Sequence, residues 1–240
     1  MTPNVCWQYR VKQAKQTENK GYVPLFDESN VAIGVIDYNA ASRFILEYEW
    51  LGNMGTSKYC YGLLVNGELA CVACYGPPVA PTRYSRLLGR EYSKSILQLC
   101  RGASAYWSPP WGPSKLICRS LKLLFQEHNT RFVIAYADPR AGEIGTIYQA
   151  CNALYLGMTS PGGSKRYFIN GHSYDARKVG KKFGSRAHQH LANIDPNYGT
   201  VSITRKHKYL FVLGARTARK EIMARLKHLA LPYPKRASVT

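Results

Sequence analysis

Residues 39–50 place Ala41, Phe44, Ile45 and Tyr48 at three- and four-residue spacing, the stripe of a helix with one buried face, and Gly52 supplies its stop. The period then shortens. Residues 58–65 and 68–75 are two β-type runs joined by Asn66-Gly67, a dipeptide suited to the positive φ angles of a type I′ hairpin turn. Residues 96–100 form a short strand, followed by a loop of glycine, serine, proline and aromatic residues over 102–113. Ser114 then caps a helix reaching about His128, whose apolar stripe is Leu116, Ile117, Leu121, Leu124 and Phe125. Residues 131–137 are a continuous apolar strand of the type buried on both faces, ended by Asp138-Pro139. After a turn over 142–145, residues 146–156 read as a second helix stopped at Gly157.

The remainder is shorter in period and more basic. Residues 166–170 and 173–176 form a hairpin around Asn170-Gly171, residues 209–213 a further strand, and 217–231 a helix with Ala218, Ile222, Leu226 and Leu229 on one side. The order helix, hairpin, strand, helix, strand, helix, strands is a mixed α/β order, and its centre implies at least one parallel pair with a crossover. No internal repeat or long linker interrupts it, so the chain reads as one domain over 1–240 with a strongly basic part at 161–240.

Composition narrows the function. With 240 residues, 45% hydrophobic and only 20% charged, the chain holds enough apolar surface for a packed core, which excludes a disordered or collagen-like polymer. Lysine and arginine number 33 against 14 acidic residues, a net +19. Residues 1–160 carry 16 basic and 11 acidic side chains, whereas 161–240 carry 17 and 3, so most of the excess lies in the last third. Such self-repulsion calls for a polyanionic partner, nucleic acid ahead of an anionic membrane, and 18 tyrosines with 4 tryptophans offer surfaces for stacking on bases. No run of about 18 apolar residues occurs, and the first 20 residues lack the apolar region of a signal peptide, so an intracellular protein without a membrane partner is expected. Seven scattered cysteines, an odd count, fit free thiols in a reducing compartment. Cys71 and Cys74 have half the spacing of a zinc site but no second pair, and on a strand they face opposite sides.

The element order resembles the acetyltransferase-like (GNAT) fold, an α/β architecture with a mixed sheet flanked by helices, here followed by a basic C-terminal extension. Residues 145–157, Gly-Thr-Ile-Tyr-Gln-Ala-Cys-Asn-Ala-Leu-Tyr-Leu-Gly, look like that fold's late helix. More narrowly, Glu49-Trp-Leu-Gly-Asn-Met-Gly55, Ala137-Asp-Pro-Arg140 and Gly145-Thr-Ile-Tyr-Gln-Ala150 together resemble the Mom family of phage Mu-type DNA modification proteins, over about residues 40–175. The resemblance implies an enzyme that adds a carbamoylmethyl group to the exocyclic amine of adenine in phage DNA, protecting it from host restriction in the host cytoplasm. It implies double-stranded DNA as partner and a small-molecule or carrier-bound acyl donor, with acetyl-CoA one candidate. Iron association and a homodimer are further expectations. Two competing readings are an N-acetyltransferase acting on a protein or small amine, and a non-catalytic DNA-binding protein.

Candidate residues follow from position and chemistry. In this fold the loop after the fourth strand offers N–H groups to a pyrophosphate, which points to Arg101, Gly102, Ser114 and Lys115. The fold's Arg/Gln-x-x-Gly-x-Gly spacing is absent, and Tyr106, Trp107, Pro109, Pro110 and Trp111 are inserted instead, either to stack a flipped base or to pack over the sheet. Arg101 pairs with a phosphate or forms an ordinary surface ion pair, and Ser114 also serves as a helix cap. Asp138 is a base for the adenine amine, a metal ligand or a turn former. With Tyr48, Glu49 and Tyr148 it makes an oxygen-rich set suited to iron, Tyr48 and Asp138 being the ligands. Tyr148 or Tyr155, on one helix face with Asn152, protonates the leaving group or packs. Lys165, Arg166, Lys181, Lys182, Arg205, Lys206 and Lys208 are the expected phosphate contacts.

Overall fold

In the computed structural model, which describes residues 30–49, 53–159, 165–202 and 205–235, the chain divides into two compact units, 1–157 with 207–240, and 158–206. The expected motif residues 50–52, the N-terminal 29 residues with Cys6, and the side chain of Arg140 lie outside the described part. In chain order the larger unit contains β1 (Val31–Val35), α1 (Tyr38–Tyr48), β2 (Tyr59–Val65) and β3 (Glu68–Gly76). Then follow α2 (Pro81–Leu88), β4 (Ile96–Ser104), α3 (Gly112–His128), β5 (Phe132–Ala137), α4 (Thr146–Ala150) and β6 (Leu154–Met158). The smaller unit holds β7 (Lys165–Ile169), β8 (His172–Asp175), α5 (Ala176–Phe183), α6 (His188–Ile194) and β9 (Gly199–Ser202). The chain then returns with β10 (His207–Val212) and α7 (Arg216–Leu226).

Local chemistry accounts for the hairpin. Asn66 and Gly67 take φ of +52° and +82° and join β2 to β3 in antiparallel register, Val65 opposite Glu68. The main sheet runs β1-β2-β3-β4-β5-β10-β6, and β4 with β5 is a parallel pair. Its central strands β3 and β5 are buried on both faces, which is why β3 reads as an unbroken apolar run. Cys71, Ala73 and Tyr75 face Leu116, Leu121 and Leu124 of α3, while Val72 and Cys74 face Ala41, Phe44 and Ile45 of α1. Cys71 and Cys74 therefore do point to opposite sides. The α1 N-terminus is capped by Asp37, whose Oδ1 accepts from the amides of Asn39 and Ala40 at 2.9 Å.

Three expectations are corrected. The late helix stops at Ala150, because Asn152 takes the left-handed conformation (φ +56°) and residues 154–158, alternating half-buried and buried, enter the sheet next to β10. Tyr148, Asn152 and Tyr155 therefore do not share a helix face. Residues 207–240 are not a C-terminal extension, since β10 is an inner strand of the main sheet, paired with β5 along its whole length from His207↔Ala137 to Val212↔Phe132. And α3 begins at Gly112, with Pro113 in its first turn, so Ser114 is no cap: its Oγ donates back to the carbonyl of Trp111 at 2.9 Å.

The smaller unit pairs β8, β7 and β9 antiparallel, the β7–β8 turn being Asn170-Gly171 at φ of +50° and +73°. Tyr167, Ile169, Val179 and Leu191 form its core, joined by Tyr174, Phe183 and Tyr198.

Candidate active site

The parallel pairing of β4 and β5 spans only Ile96↔Phe132, Leu97↔Val133 and Gln98↔Ile134, although β4 continues to Ser104 and β5 to Ala137. Where the strands part, the sheet opens into a cleft. A cavity of about 310 Å³ occupies it, at the small end of the range for ligand sites. Its walls include Leu99, Gly102 and Ser104 from β4, Leu116 and Ile117 from α3, Ala137 from β5, and the run from Gly142 to Tyr148. The inserted segment contributes Tyr106, Ser108, Pro109 and Pro110, so it lines the cavity while Trp107 and Trp111 pack against the core.

The segment 142–148 is rigidly placed. Gly145 has φ +79°, and a Cβ there would lie 2.4 Å from the Tyr209 ring, so only glycine lets the turn approach β10. The Ile144 carbonyl accepts from the Tyr209 hydroxyl and from Gln149 Nε2 (3.2 Å), which also donates to the Tyr209 oxygen at 3.1 Å. The motif glycine and glutamine thus exist to hold this turn. Tyr148 lines the cavity with its ring edge-on to Tyr209 and Phe211. Burial, reinforced by the carboxylates of Glu143 and Glu49, pushes its phenol well above the usual value, so it stays an O–H donor.

Asp138 is 3% exposed and does not line the cavity; Glu143, which sequence reasoning passed over, does. The two residues are reciprocally bonded: the Asp138 amide donates to Glu143 Oε2 and the Glu143 amide to the Asp138 carbonyl, each at 3.3 Å. An acid alone between two glycines, just after a buried strand, was the available signal. Glu49 is buried at 8% where α1 ends, its amide donating to the Ile45 carbonyl at 2.9 Å. Tyr48 packs on Phe44 with ring centroids 4.6 Å apart, and burial raises its phenol as well. Among the described residues no three His, Cys, Asp or Glu side chains gather as a metal site.

Of the residues expected to bind a cofactor, Gly102 lines the cavity, and Arg101, Ser114 and Lys115 contact the chain itself. The Arg101 guanidinium donates to the carbonyl and side-chain oxygens of Asn53 and to the Cys100 carbonyl, bracing the turn in which Gly55 lies against it. Lys115 is exposed, its ammonium 4.4 Å from the Trp111 ring. The loop also fits a pyrophosphate poorly. Pro109, Pro110 and Pro113 have no N–H, and the amides of Ala105, Ser108, Gly112 and Lys115 donate to the chain's own carbonyls. No lysine or arginine appears among the described residues lining the cavity. Among the described residues this loop does not fit a coenzyme A pyrophosphate.

The expected DNA contacts separate. Lys165, Arg166, Lys181, Lys182, Arg205 and Lys206 lie in the smaller unit, which holds nine basic and two acidic residues, a net +7 over 158–206. Lys208 does not: it sits half-buried on β10 opposite Tyr136, and burial together with Arg83 lowers its ammonium.

A seven-stranded mixed sheet, split between its two parallel strands and flanked by helices, is the acetyltransferase-like (GNAT) fold. The sequence profile of the Mom protein family matches residues 30–235, and the chain belongs to that family. No curated protein matches the chain. Similar solved structures are acetyltransferases. A point mutant of the spermidine N-acetyltransferase SpeG from Vibrio cholerae is 11% identical, over 82% of this chain and 98% of that one, with a TM-score of 0.45. The ribosomal-protein-S5-alanine acetyltransferase from Vibrio fischeri is 7% identical, over 76% and 93%, with a TM-score of 0.44. An acetyltransferase from Bacillus subtilis in complex with CoA is 8% identical, over 77% and 99%, with a TM-score of 0.43.

Proposed function

We propose that the protein is a DNA-modifying transferase that places a carbamoylmethyl group on the exocyclic amine of adenine. The observation that carries this reading is the cavity between β4 and β5, lined by Tyr106, Glu143 and Tyr148 and by no lysine or arginine among its described walls, in a member of the Mom family. Such walls suit an uncharged planar base. The separate basic unit suits the phosphates of the duplex that delivers it.

Reaching the amine requires the adenine to leave the stack, at a cost of a few kcal/mol, which the aromatic and proline-rich wall offsets by contact with the base. The amine is a poor nucleophile because its lone pair is delocalised into the ring. Glu143 accepts its proton as the new N–C bond forms, and Asp138 is a positioning residue that holds the Glu143 turn through the reciprocal amide bonds. Tyr148, kept protonated, donates to the group that departs from the donor. Tyr48 packs on the Phe44 ring and Asp138 lies in the 138–143 turn, and among the described residues no group of three His, Cys, Asp or Glu gathers around either.

Plasmid DNA recovered from cells expressing the protein, digested to nucleosides and analysed by mass spectrometry, should contain deoxyadenosine bearing one carbamoylmethyl group. Wholly unmodified adenine in cells making soluble protein would overturn the proposal.

A further inference from the structure

Among the described residues, the smaller unit packs its helices on one face of its sheet. On β7 the buried residues Tyr167 and Ile169 turn toward α5 and α6, at 8% and 0% exposure, whereas Arg166 and Phe168 project from the opposite face, Phe168 at 43%. The register completes that face. Val201 of β9, 58% exposed, and Asp175 of β8 stand opposite Arg166, and Gly199 and Ser173 stand on either side of Phe168. Arg166 Nη1 donates at 3.3 Å to the Oγ of Ser173, the residue paired with Phe168. At Gly199 a Cβ would meet nothing within 4 Å, which leaves open space next to that ring.

An exposed phenylalanine and valine on a three-stranded sheet form an apolar patch. Its chemical setting identifies what covers it. The unit carries nine basic side chains against Asp175 and Asp195, and Asp195 is engaged within the unit, its Oδ2 accepting from the Asn170 amide at 2.7 Å. Lys182, by contrast, is held on the helical side, donating to the Tyr174 hydroxyl at 2.8 Å with its ammonium 4.8 Å from that ring. A face that joins an aromatic wedge to an arginine, within a strongly cationic unit, matches a DNA groove, where apolar side chains press between base steps and cations meet phosphates.

We propose that the outer face of this sheet is a duplex DNA contact, with Phe168 and Val201 against the bases and sugars and Arg166 on a phosphate. The inference rests on the DNA reading of the protein and adds which face of the smaller unit makes the contact. It separates two kinds of residue by their salt dependence: a phosphate contact releases counterions, and an apolar one does not.

The test is fluorescence anisotropy of a labelled 20-base-pair duplex with the full chain, titrated between 50 and 200 mM salt. Phe168→Ala should weaken binding roughly tenfold with an unchanged salt slope. Arg166→Ala should lower the slope by about one. Gly199→Glu puts a carboxylate beside the phenyl ring without touching the core and should weaken binding more than Phe168→Ala; circular dichroism checks that all three fold. Wild-type affinity in both Phe168→Ala and Gly199→Glu, with DNA bound by the parent chain, would remove this face from the interface and leave the DNA reading intact. A parent chain that binds no duplex would remove the DNA reading itself. If Phe168→Ala turns a dimer into a monomer in sedimentation, the face joins two copies of the chain and the proposal fails.

Discussion

The two units solve opposite problems with the same 20 amino acids. The larger one buries its central strands on both faces and opens a cavity whose described lining holds no lysine or arginine. The smaller one, 49 residues with a core of a few aromatic and aliphatic side chains, carries nine basic residues in its sequence. The difference teaches where each part of the charge can reside. A cavity shielded from water raises the cost of any unpaired ion, whereas a small, largely exposed unit carries charge at little cost.

Changes that break the larger unit's side of the comparison have the largest expected effects. Glu143→Gln should reduce DNA modification by two to four orders of magnitude, about the range for a general base, while DNA affinity stays at the parent value. Nucleoside mass spectrometry beside anisotropy checks this, and modification at the parent rate would return the base role to Asp138. Gly145→Ala places a Cβ against the Tyr209 ring at φ +79°, so it should destabilise the fold by about 1–3 kcal/mol, seen as a lower melting temperature.

On the other side, replacing Lys165 with alanine should weaken DNA binding and flatten its salt slope by about one, whereas Lys208→Ala should leave the slope unchanged. Equal slopes for the two variants would erase the distinction between the units.

A smaller effect tests the wall between β6 and β10. His207 Nδ1 lies 2.9 Å from the Tyr155 hydroxyl, and burial lowers its pKa below the usual value near 6.5. The unfolded chain therefore binds this proton more readily than the folded one. Stability from neutral His207 is present above about pH 6.5 and is lost as the pH falls toward the depressed folded value. His207→Gln should show a weaker fall in melting temperature between pH 7 and pH 5 than the parent; an identical fall would show that His207 does not contribute. The slightest change concerns Cys118, whose thiol is drawn down to about 7, first by its hydrogen bond with Cys151. Its alkylation by iodoacetamide should be half-maximal near pH 7, measurable by peptide mass mapping.

The elements that a local pattern specifies were legible in the chain. The Asn66-Gly67 and Asn170-Gly171 hairpins, the α3 stripe and the buried β5 run all follow from turn chemistry or periodicity. Three kinds of feature were not. Residues 154–158 continue a helical pattern in sequence, yet β10, which arrives fifty residues later, offers a strand edge that wins once Asn152 turns the chain. Arg101 showed its charge in the sequence, whereas its partner, the Asn53 turn, was not visible there. Glu143 was hidden for the converse reason: its place in the cavity wall depends on the parting of β4 and β5.

By itself the sequence determined the hairpins, the buried strands, the acetyltransferase-like order of elements and a net charge that calls for a polyanion. Each of these depends on contacts within a few residues or on a sum over the chain. Only the tertiary structure decided that β10 belongs inside the main sheet and that the basic residues divide between two units. It alone brought Glu143 beside Tyr148 while Asp138 stayed in the turn behind. The reason is physical: pairing between distant strands sets which side chains leave water together, and no local pattern records a partner that lies sixty residues away.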